Sequence, residues 1–94
     1  MTGQQRYTVG INATTRRALG ERLPLDVAMA VYEFISGPLS DNPRRVGKEL
    51  NEPYEGVYSA RVMREWRLLY TINDETHRVS VRDIRHRRDA YRVR

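Results

Sequence analysis

The sequence predicts one α+β domain over residues 1–94, in which a helical hairpin packs on one face of an antiparallel sheet. The chain is long enough for one modest core, since a domain of its size buries roughly 60–65% of the surface that the unfolded chain exposes. Apolar residues recur at helical spacing between residues 18 and 35, and they alternate with a period of two from residue 57 onward. Early helices followed by hairpin-linked strands, in the order β-α-α-β-β-β, are typical of the α+β class.

A strand and a helix are predicted first. The apolar side chains of the strand, residues 7–11, share one face: Tyr7, Val9 and Ile11. Asn12 and Thr14 are both favoured N-cap residue types, so a helix is predicted over residues 13–23. Its inward-facing residues are predicted to be Ala18, Leu19 and Leu23.

A second helix is predicted to begin at Pro24, because proline is favoured in the first turn of a helix. Its apolar residues follow the spacing i, i+4, i+7, i+8 and form one buried stripe: Val27, Val31, Phe34 and Ile35. Gly37 and Pro38 are predicted to end it. The two helices form a hairpin whose role is packing.

Residues 39–56 are rich in turn-forming residues, and a segment of this length in so small a domain is often functional. Three strands are then predicted over residues 57–63, 66–72 and 78–84, with a hairpin turn at residues 73–76. Because the helices cover one face of this sheet, the other face is left as a docking surface.

Composition excludes several classes of protein. There is no cysteine, so disulfide frameworks and thiolate zinc sites are absent. No apolar run approaches the roughly 20 residues that span a bilayer, and residues 1–7 do not resemble a secretory signal, so a cytoplasmic protein is expected. Neither GxxxxGK[ST] nor GxGxxG occurs, and no pair of histidines has metal-ligand spacing, so no cofactor or metal is expected.

Charge is distributed unevenly along the chain. Residues 1–43 hold four Lys/Arg and four Asp/Glu, whereas residues 44–94 hold thirteen Lys/Arg and eight Asp/Glu, so the whole net charge of +5 lies in the second part. Such a basic region indicates a partner that carries phosphates or carboxylates.

Arg61, Arg67 and Arg87 are the candidate catalytic cluster, since Arg61 lies on one predicted strand, Arg67 on the next and Arg87 just past the last. Three guanidinium groups on one face would hold a phosphate and stabilise the extra charge of a pentavalent phosphorane. The alternative is that each is a solvated surface arginine. Tyr91 suits stacking on an unpaired base, or else packs the C-terminal segment on the sheet. His86 is a candidate proton carrier.

Four segments, in this order, resemble the RelE/ParE superfamily of toxins and its RelE branch in particular. They are residues 42–50 (NPRRVGKEL), 55–61 (EGVYSAR), 66–70 (WRLLY) and 86–92 (HRRDAYR). Members of the RelE branch end in a similar His-Arg-x-x-x-Tyr. The resemblance extends from the first strand to Tyr91.

The resemblance implies a toxin of a type II toxin–antitoxin system that cleaves messenger RNA in the ribosomal A site by metal-independent attack of a 2′-hydroxyl. It also implies a cognate acidic, RelB-like antitoxin, and a toxin–antitoxin complex that binds operator DNA through the antitoxin. Arg67 would support the phosphate, Arg87 would protonate the leaving 5′-oxygen, Tyr91 would orient the nucleotide, and Arg61 falls where a catalytic lysine often stands. Further basic residues are predicted to bind RNA: Arg44, Arg45, Lys48, Arg85 and Arg88.

Some members of that family carry two lysines on the second strand, where this chain has Ser59 and Arg61 instead. Arginine is a poor general base. The 2′-hydroxyl of the RNA would then be activated by another group, such as Lys48, His86 or a group of the ribosome or the RNA. The alternative is that charge stabilisation supplies most of the catalysis. Two alternative functions stay open. They are a ParE-like inhibitor of DNA gyrase and a basic RNA-binding module with weak or no catalysis.

Overall fold

The computed structural model describes residues 6–90 and contains a five-stranded sheet with two helices packed on one face. The strands are β1 (Thr8–Ile11), β2 (Lys48–Glu49), β3 (Val57–Val62), β4 (Trp66–Asn73) and β5 (Arg78–His86). The helices are α1 (Ala13–Glu21), α2 (Leu25–Phe34) and the short α3 (Arg87–Ala90), and a π-helical turn (Ile35–Leu39) follows α2. The α+β class and the predicted order of the main elements are confirmed, and β2 and α3 are additions to them.

The strands are arranged in the order β1-β5-β4-β3-β2. β3, β4 and β5 form the predicted antiparallel meander, and β2 extends it antiparallel to β3. β1 runs parallel to β5, so the sheet is mixed, and the predicted antiparallel pairing is wrong at this edge. A period of two marks a strand without fixing the direction of its neighbour. The direction of β5 is set by the two hairpin turns of the meander, and β1 joins it without a hairpin.

α1 begins at the cap that the sequence indicates. The Asn12 side chain accepts a hydrogen bond from the Thr15 amide at 2.7 Å, so Asn12 rather than Thr14 is the N-cap. Asn12 and Thr15 also donate to the Arg82 carbonyl of β5, at 3.0 and 3.1 Å. The first turn of α1 is therefore fixed directly to the last strand.

Gly37 and Pro38 do not end the second helical segment, contrary to the prediction. Both lie inside the π-helical turn, which continues from α2 to Leu39. Proline lacks the N–H of a regular helix, and a π turn is one way to accommodate that loss. Ile35 and Leu39 are buried by this turn, so core packing outweighs the helix-breaking residues.

The core lies between the helices and one face of the sheet. The helical segments contribute Leu19, Val27, Val31, Ile35 and Leu39, and the strands contribute Ala60, Val62, Leu68, Tyr70, Val79, Val81 and Ile84. The predicted stripe of α2 is confirmed, with Phe34 half-buried at its margin. Neither α1 nor α2 covers the opposite face, where the alternating residues of β3 and β4 are half-buried or exposed. Over residues 6–90, no helix combines the length and the apolar character that crossing a membrane requires.

Tyr70 attaches the loop before β2 to the sheet. Its buried hydroxyl donates to the Pro43 carbonyl at 2.6 Å. The chain passes so close to this ring that a Cβ added at Gly47 would overlap the Tyr70 hydroxyl. This contact fixes the path of the loop that leads directly into Lys48 on β2.

Candidate active site on the open face of the sheet

Three arginines lie side by side across the open face of the meander. Arg61 on β3 is paired with Arg67 on β4, and Arg67 is paired in turn with Arg85 on β5. Residues directly opposite in an antiparallel pair share a face, with Cβ atoms about 4.5–5.5 Å apart. We call Arg61, Arg67 and Arg85 the arginine row; it spans about 10 Å across three strands.

A β-bulge brings Arg85 into the row. Leu69 is paired with Asp83 and Tyr70 with Val81, so Arg82 is an extra residue on β5. Without the bulge, the alternation begun by Val79 and Val81 would turn Arg85 toward the helices. With it, Ile84 is buried in the core and Arg85 reaches the open face. The spacing of the apolar residues at 79, 81 and 84 is the sequence signal for this shift, and period-two reasoning missed it.

Arg87 does not lie in the row. It is the exposed first residue of α3, and its amide donates to the Glu65 carbonyl in the β3–β4 turn at 2.6 Å. The structure thus brings together Arg61 and Arg67 of the sequence-predicted cluster, and Arg85 takes the third position. Tyr91 lies outside the described residues.

The three guanidinium groups have different surroundings. Arg67 is half-buried, and its Nη1 donates to the carbonyls of Arg64 and Trp66 at 2.9 and 3.2 Å. Arg85 is half-buried, and its Nε donates to Asp83 at 2.6 Å. Arg61 is exposed and makes no hydrogen bond or ion pair with the other described side chains. Three cations and one carboxylate leave the row positive, so it favours an anionic ligand.

The β3–β4 turn next to the row has an uncommon backbone. Met63 and Arg64 have φ values of 51° and 67°, in the left-handed region that favours glycine. Such conformations suit a tight hairpin, and they are also found where a functional site is held in a defined shape. The Arg64 carbonyl at this turn accepts the Arg67 side chain, so the turn geometry positions one member of the row.

Lys48 lies at the edge of the same face. It is paired with Ser59, two residues before Arg61 on β3. The diagonal neighbours of such a pair are about 7–8 Å apart. Lys48 is the only lysine of the chain and is exposed, so the open face presents one ammonium group beside the arginine row.

Arg44 lies elsewhere. Its guanidinium binds the Asp74 carboxylate through two nitrogens, at 2.8 and 2.7 Å, and the Tyr7 hydroxyl donates to the same carboxylate at 2.8 Å. These hydrogen bonds hold the pKa of Asp74 below its ordinary value. Asp74 directly follows Asn73, the last residue of β4. Asn73 is six residues along the strand from Arg67, a distance of about 20 Å. Arg45, on the same loop, is exposed.

His86 lies on the face opposite the row. It is paired with Trp66 and contacts its ring edge to face, with the ring centroids 5.2 Å apart. Its Nδ1 accepts from the Arg88 amide at 3.2 Å, and its Nε2 lies 3.3 Å from a Glu65 carboxylate oxygen. This arrangement fixes the start of α3. His86 is therefore not placed where a proton carrier for the arginine row would be needed. Arg88, on α3, also lies beyond the row.

Within residues 6–90, His, Asp and Glu side chains form no group of three that would hold a metal ion. The strand pairing places Lys48 and Asp83 on the open face with the arginine row. Chemically, this arrangement can bind a phosphate and stabilise negative charge that develops on it.

Comparison with known proteins places the chain in a family. The family model described as the ParE toxin of the type II toxin–antitoxin system parDE matches residues 17–91. Toxin RelE of Mycobacterium tuberculosis is 43% identical over 93 residues, which cover 99% of this chain and 94% of that protein. Toxin RelG of the same organism is 45% identical over 86 residues, which cover 92% of this chain and 97% of that protein.

A solved structure agrees with these matches. The toxin–antitoxin complex RelBE2 of M. tuberculosis contains a chain that superposes on this one with a TM-score of 0.80 and 44% identity. The superposition covers 87% of this chain and 99% of that chain. The predicted resemblance is thus confirmed, and the chain belongs to the RelE/ParE toxin family of type II toxin–antitoxin systems.

Proposed function

We propose that this toxin is a ribosome-dependent endoribonuclease that cleaves messenger RNA in the A site and so inhibits translation. The observation that carries the proposal is the arginine row, in which three adjacent strands each place one guanidinium on an uncovered face. A guanidinium matches the geometry of a phosphate and binds it through two nitrogens. An open face, rather than a closed pocket, suits an RNA strand that a much larger particle presents.

In the proposed reaction, the 2′-oxygen of one nucleotide attacks the adjacent phosphorus and forms a 2′,3′-cyclic phosphate. The bond from phosphorus to the 5′-oxygen of the next nucleotide breaks. A base takes the proton of the 2′-hydroxyl, and a second proton goes to the departing 5′-oxygen. The row stabilises the additional negative charge on the phosphorane, and one preorganised donor of this kind typically contributes about 10²–10³-fold in rate.

We assign the roles within this reaction from the pairing of the strands. Arg61 and Arg67 support the non-bridging phosphate oxygens. Arg85 occupies the third position of the row, so we assign to it the protonation of the 5′-oxygen that the family resemblance gave to Arg87. Arg87 and Arg88, exposed on α3, attract RNA, and Tyr91 orients the nucleotide.

Lys48 is the candidate for the base. A protonated guanidinium can donate a proton but has no site to accept one, whereas lysine amines act as general bases in other enzymes. Lys48 is adjacent to the row through its pairing with Ser59. This position compensates for the absence of lysines at Ser59 and Arg61.

Gyrase inhibition is a second candidate function, favoured by the description of the matching family as ParE toxins. The relatives at 43% and 45% identity carry the names RelE and RelG, which favours the first candidate. One experiment separates the two. The chain is induced in cells, and RNA ends and DNA ends are mapped by sequencing. We expect new 5′ ends at codons in the ribosomal A site and no increase in double-strand DNA breaks.

Variants of the row test the assignment of the site. Arg67→Ala and Arg85→Ala should each reduce cleavage by about 10²–10³-fold. Arg87→Ala should reduce it less, because Arg87 lies beyond the row. Arg78→Ala is the matched control, since Arg78 is an exposed arginine at the other end of β5. Loss of DNA integrity without RNA cleavage would support the gyrase inhibitor, and RNA binding with neither effect would support the non-catalytic module.

We also propose that the toxin binds an acidic, RelB-like antitoxin in the cytoplasm, and that the resulting complex binds operator DNA through the antitoxin. The proposal is supported by the RelBE2 structure, in which a similar chain is part of a toxin–antitoxin complex, and by the concentration of the net charge in residues 44–94. Co-purification of a short acidic chain encoded next to the toxin gene would test it.

A further inference from the structure

We propose that Asp83 is a positioning residue that, together with the β-bulge at Arg82, fixes the guanidinium of Arg85 for its role in the row. The inference rests on the proposed RNA cleavage and deepens it, because it names a residue that acts through Arg85 without binding the phosphate.

The bulge puts Asp83 and Arg85 on the same face as each other. They are two residues apart on β5, and both follow the extra residue Arg82. The Asp83 side chain lies 2.6 Å from Nε of Arg85 through its Oδ2 atom. Its other oxygen, Oδ1, accepts from the Ile84 amide at 2.8 Å. Both carboxylate oxygens of Asp83 are therefore engaged, and the carboxylate is fixed relative to the strand.

The contact from Asp83 uses only the Nε atom of the Arg85 guanidinium. Asp83 binds Nε and leaves the two terminal nitrogens, which form no hydrogen bond with the other described residues. Four N–H groups of Arg85 stay available for a ligand. A carboxylate that occupied the terminal nitrogens would instead compete with phosphate for them.

The bulge itself is held by hydrogen bonds from the start of α1. An extra residue in a strand loses its ladder partner, so its carbonyl needs another donor. The Arg82 carbonyl accepts from Asn12, the N-cap of α1, and from Thr15 in the first turn of that helix. Thr15 is buried. A chain of contacts thus runs from the α1 N-terminus through the bulge to Asp83 and Arg85.

Stability alone gives no reason for an acidic residue here. The side chains of Asp83 and Arg85 are 36% and 41% exposed, and ion pairs with this exposure contribute little to folding. A carboxylate also weakens the attraction of the row for RNA. Asp83 therefore weakens the binding of RNA to the row. Its geometry fits a different role, which is to orient Arg85.

The test compares Asp83→Asn, Asp83→Glu and Arg85→Ala on programmed ribosomes, with kcat and KM measured separately. Asp83→Asn should lower kcat by about 10- to 100-fold, as expected for a displaced catalytic group, while KM for the ribosome is unchanged or lower. Asp83→Glu should recover part of the loss. In the double variant Asp83→Asn/Arg85→Ala, the rate should equal that of Arg85→Ala alone, since Asp83 acts only through Arg85.

A second measurement keeps the inference separate from the proposed function. The Nε–H resonance of Arg85 should show restricted motion in the wild-type toxin, and Asp83→Asn should release it. If the wild-type toxin cleaves no RNA, the proposed function fails, and this resonance still decides whether Asp83 holds Arg85. If the wild-type toxin cleaves RNA and Asp83→Asn keeps its kcat, or if the losses of the double variant add, the inference is overturned.

Discussion

Arg85 and Arg87 show what single residues contribute to the site and how far the sequence defines them. Both are arginines near the end of the last strand, and motif spacing favours Arg87. Whether a side chain on a strand reaches one face or the other depends on the count of preceding residues, and one extra residue inverts it. The pairing of β4 with β5 shows that Arg82 is that residue, and its carbonyl is held by Asn12 and Thr15, about 70 residues earlier in the chain. Local periodicity does not contain this information.

The hydroxyl of Tyr70 stabilises the fold through one buried hydrogen bond. Tyr70→Phe removes the donor to the buried Pro43 carbonyl and leaves that acceptor without its partner. The free energy of unfolding should fall by about 1–3 kcal/mol. Urea denaturation at neutral pH measures this change.

The pH dependence of the same variant is a second readout. Burial, together with the nearby Tyr58, raises the pKa of Tyr70 above its ordinary value in the folded protein. The contribution of Tyr70 is thus complete below the ordinary tyrosine pKa of about 10 and declines as the pH rises above it. Wild-type stability should decline more steeply above this pH than that of Tyr70→Phe. Equal declines would show that Tyr70 does not set the alkaline limit.

Among the helices and strands, the sequence predicts those whose apolar residues recur with a regular period. The stripe of α2 and the alternation in β3 and β4 identify those elements and their inner faces, because burial repeats with the geometry of the backbone. The parallel pairing of β1, the π-helical turn and the two-residue β2 are set by contacts between distant segments. Ser40 illustrates this, since its hydroxyl donates to the Tyr7 carbonyl and connects the end of the π-helical turn to the residue before β1.

Asn12 both caps α1 and joins this helix to β5. Asn12→Ala removes the N-cap, which costs about 0.5–2 kcal/mol, and also a donor to the bulge. Thr14→Ala is the matched control, because Thr14 is exposed and is not the cap, so its effect should stay within about 0.5 kcal/mol. Chemical denaturation of both variants checks this difference. Similar losses in the two would contradict the assignment of Asn12 as the cap.

For the whole molecule, the sequence correctly predicts a helix-covered face and an open face, and it locates the basic part of the chain. It does not separate arginines that are available to a ligand from those in structural ion pairs. Arg44 and Arg61 differ in this respect, because Arg44 is bound to Asp74 while Arg61 has no partner among the described side chains. Net charge is therefore a poor count of the cations that are available to an anionic ligand.

The salt dependence of RNA binding measures that count. Each phosphate contact contributes about 0.7 to the slope of log K against log salt concentration for a single strand. Arg61→Gln should reduce the slope by about this amount, because Arg61 lies in the row and is free to pair with a phosphate. Arg44→Gln carries the same change of charge, but it should alter the slope by less than half as much, since Asp74 already neutralises Arg44. Fluorescence anisotropy with a single-stranded RNA between about 50 and 300 mM salt gives both slopes. Equal effects would mean that RNA responds to the total charge of residues 44–94, and not to the geometry of the open face.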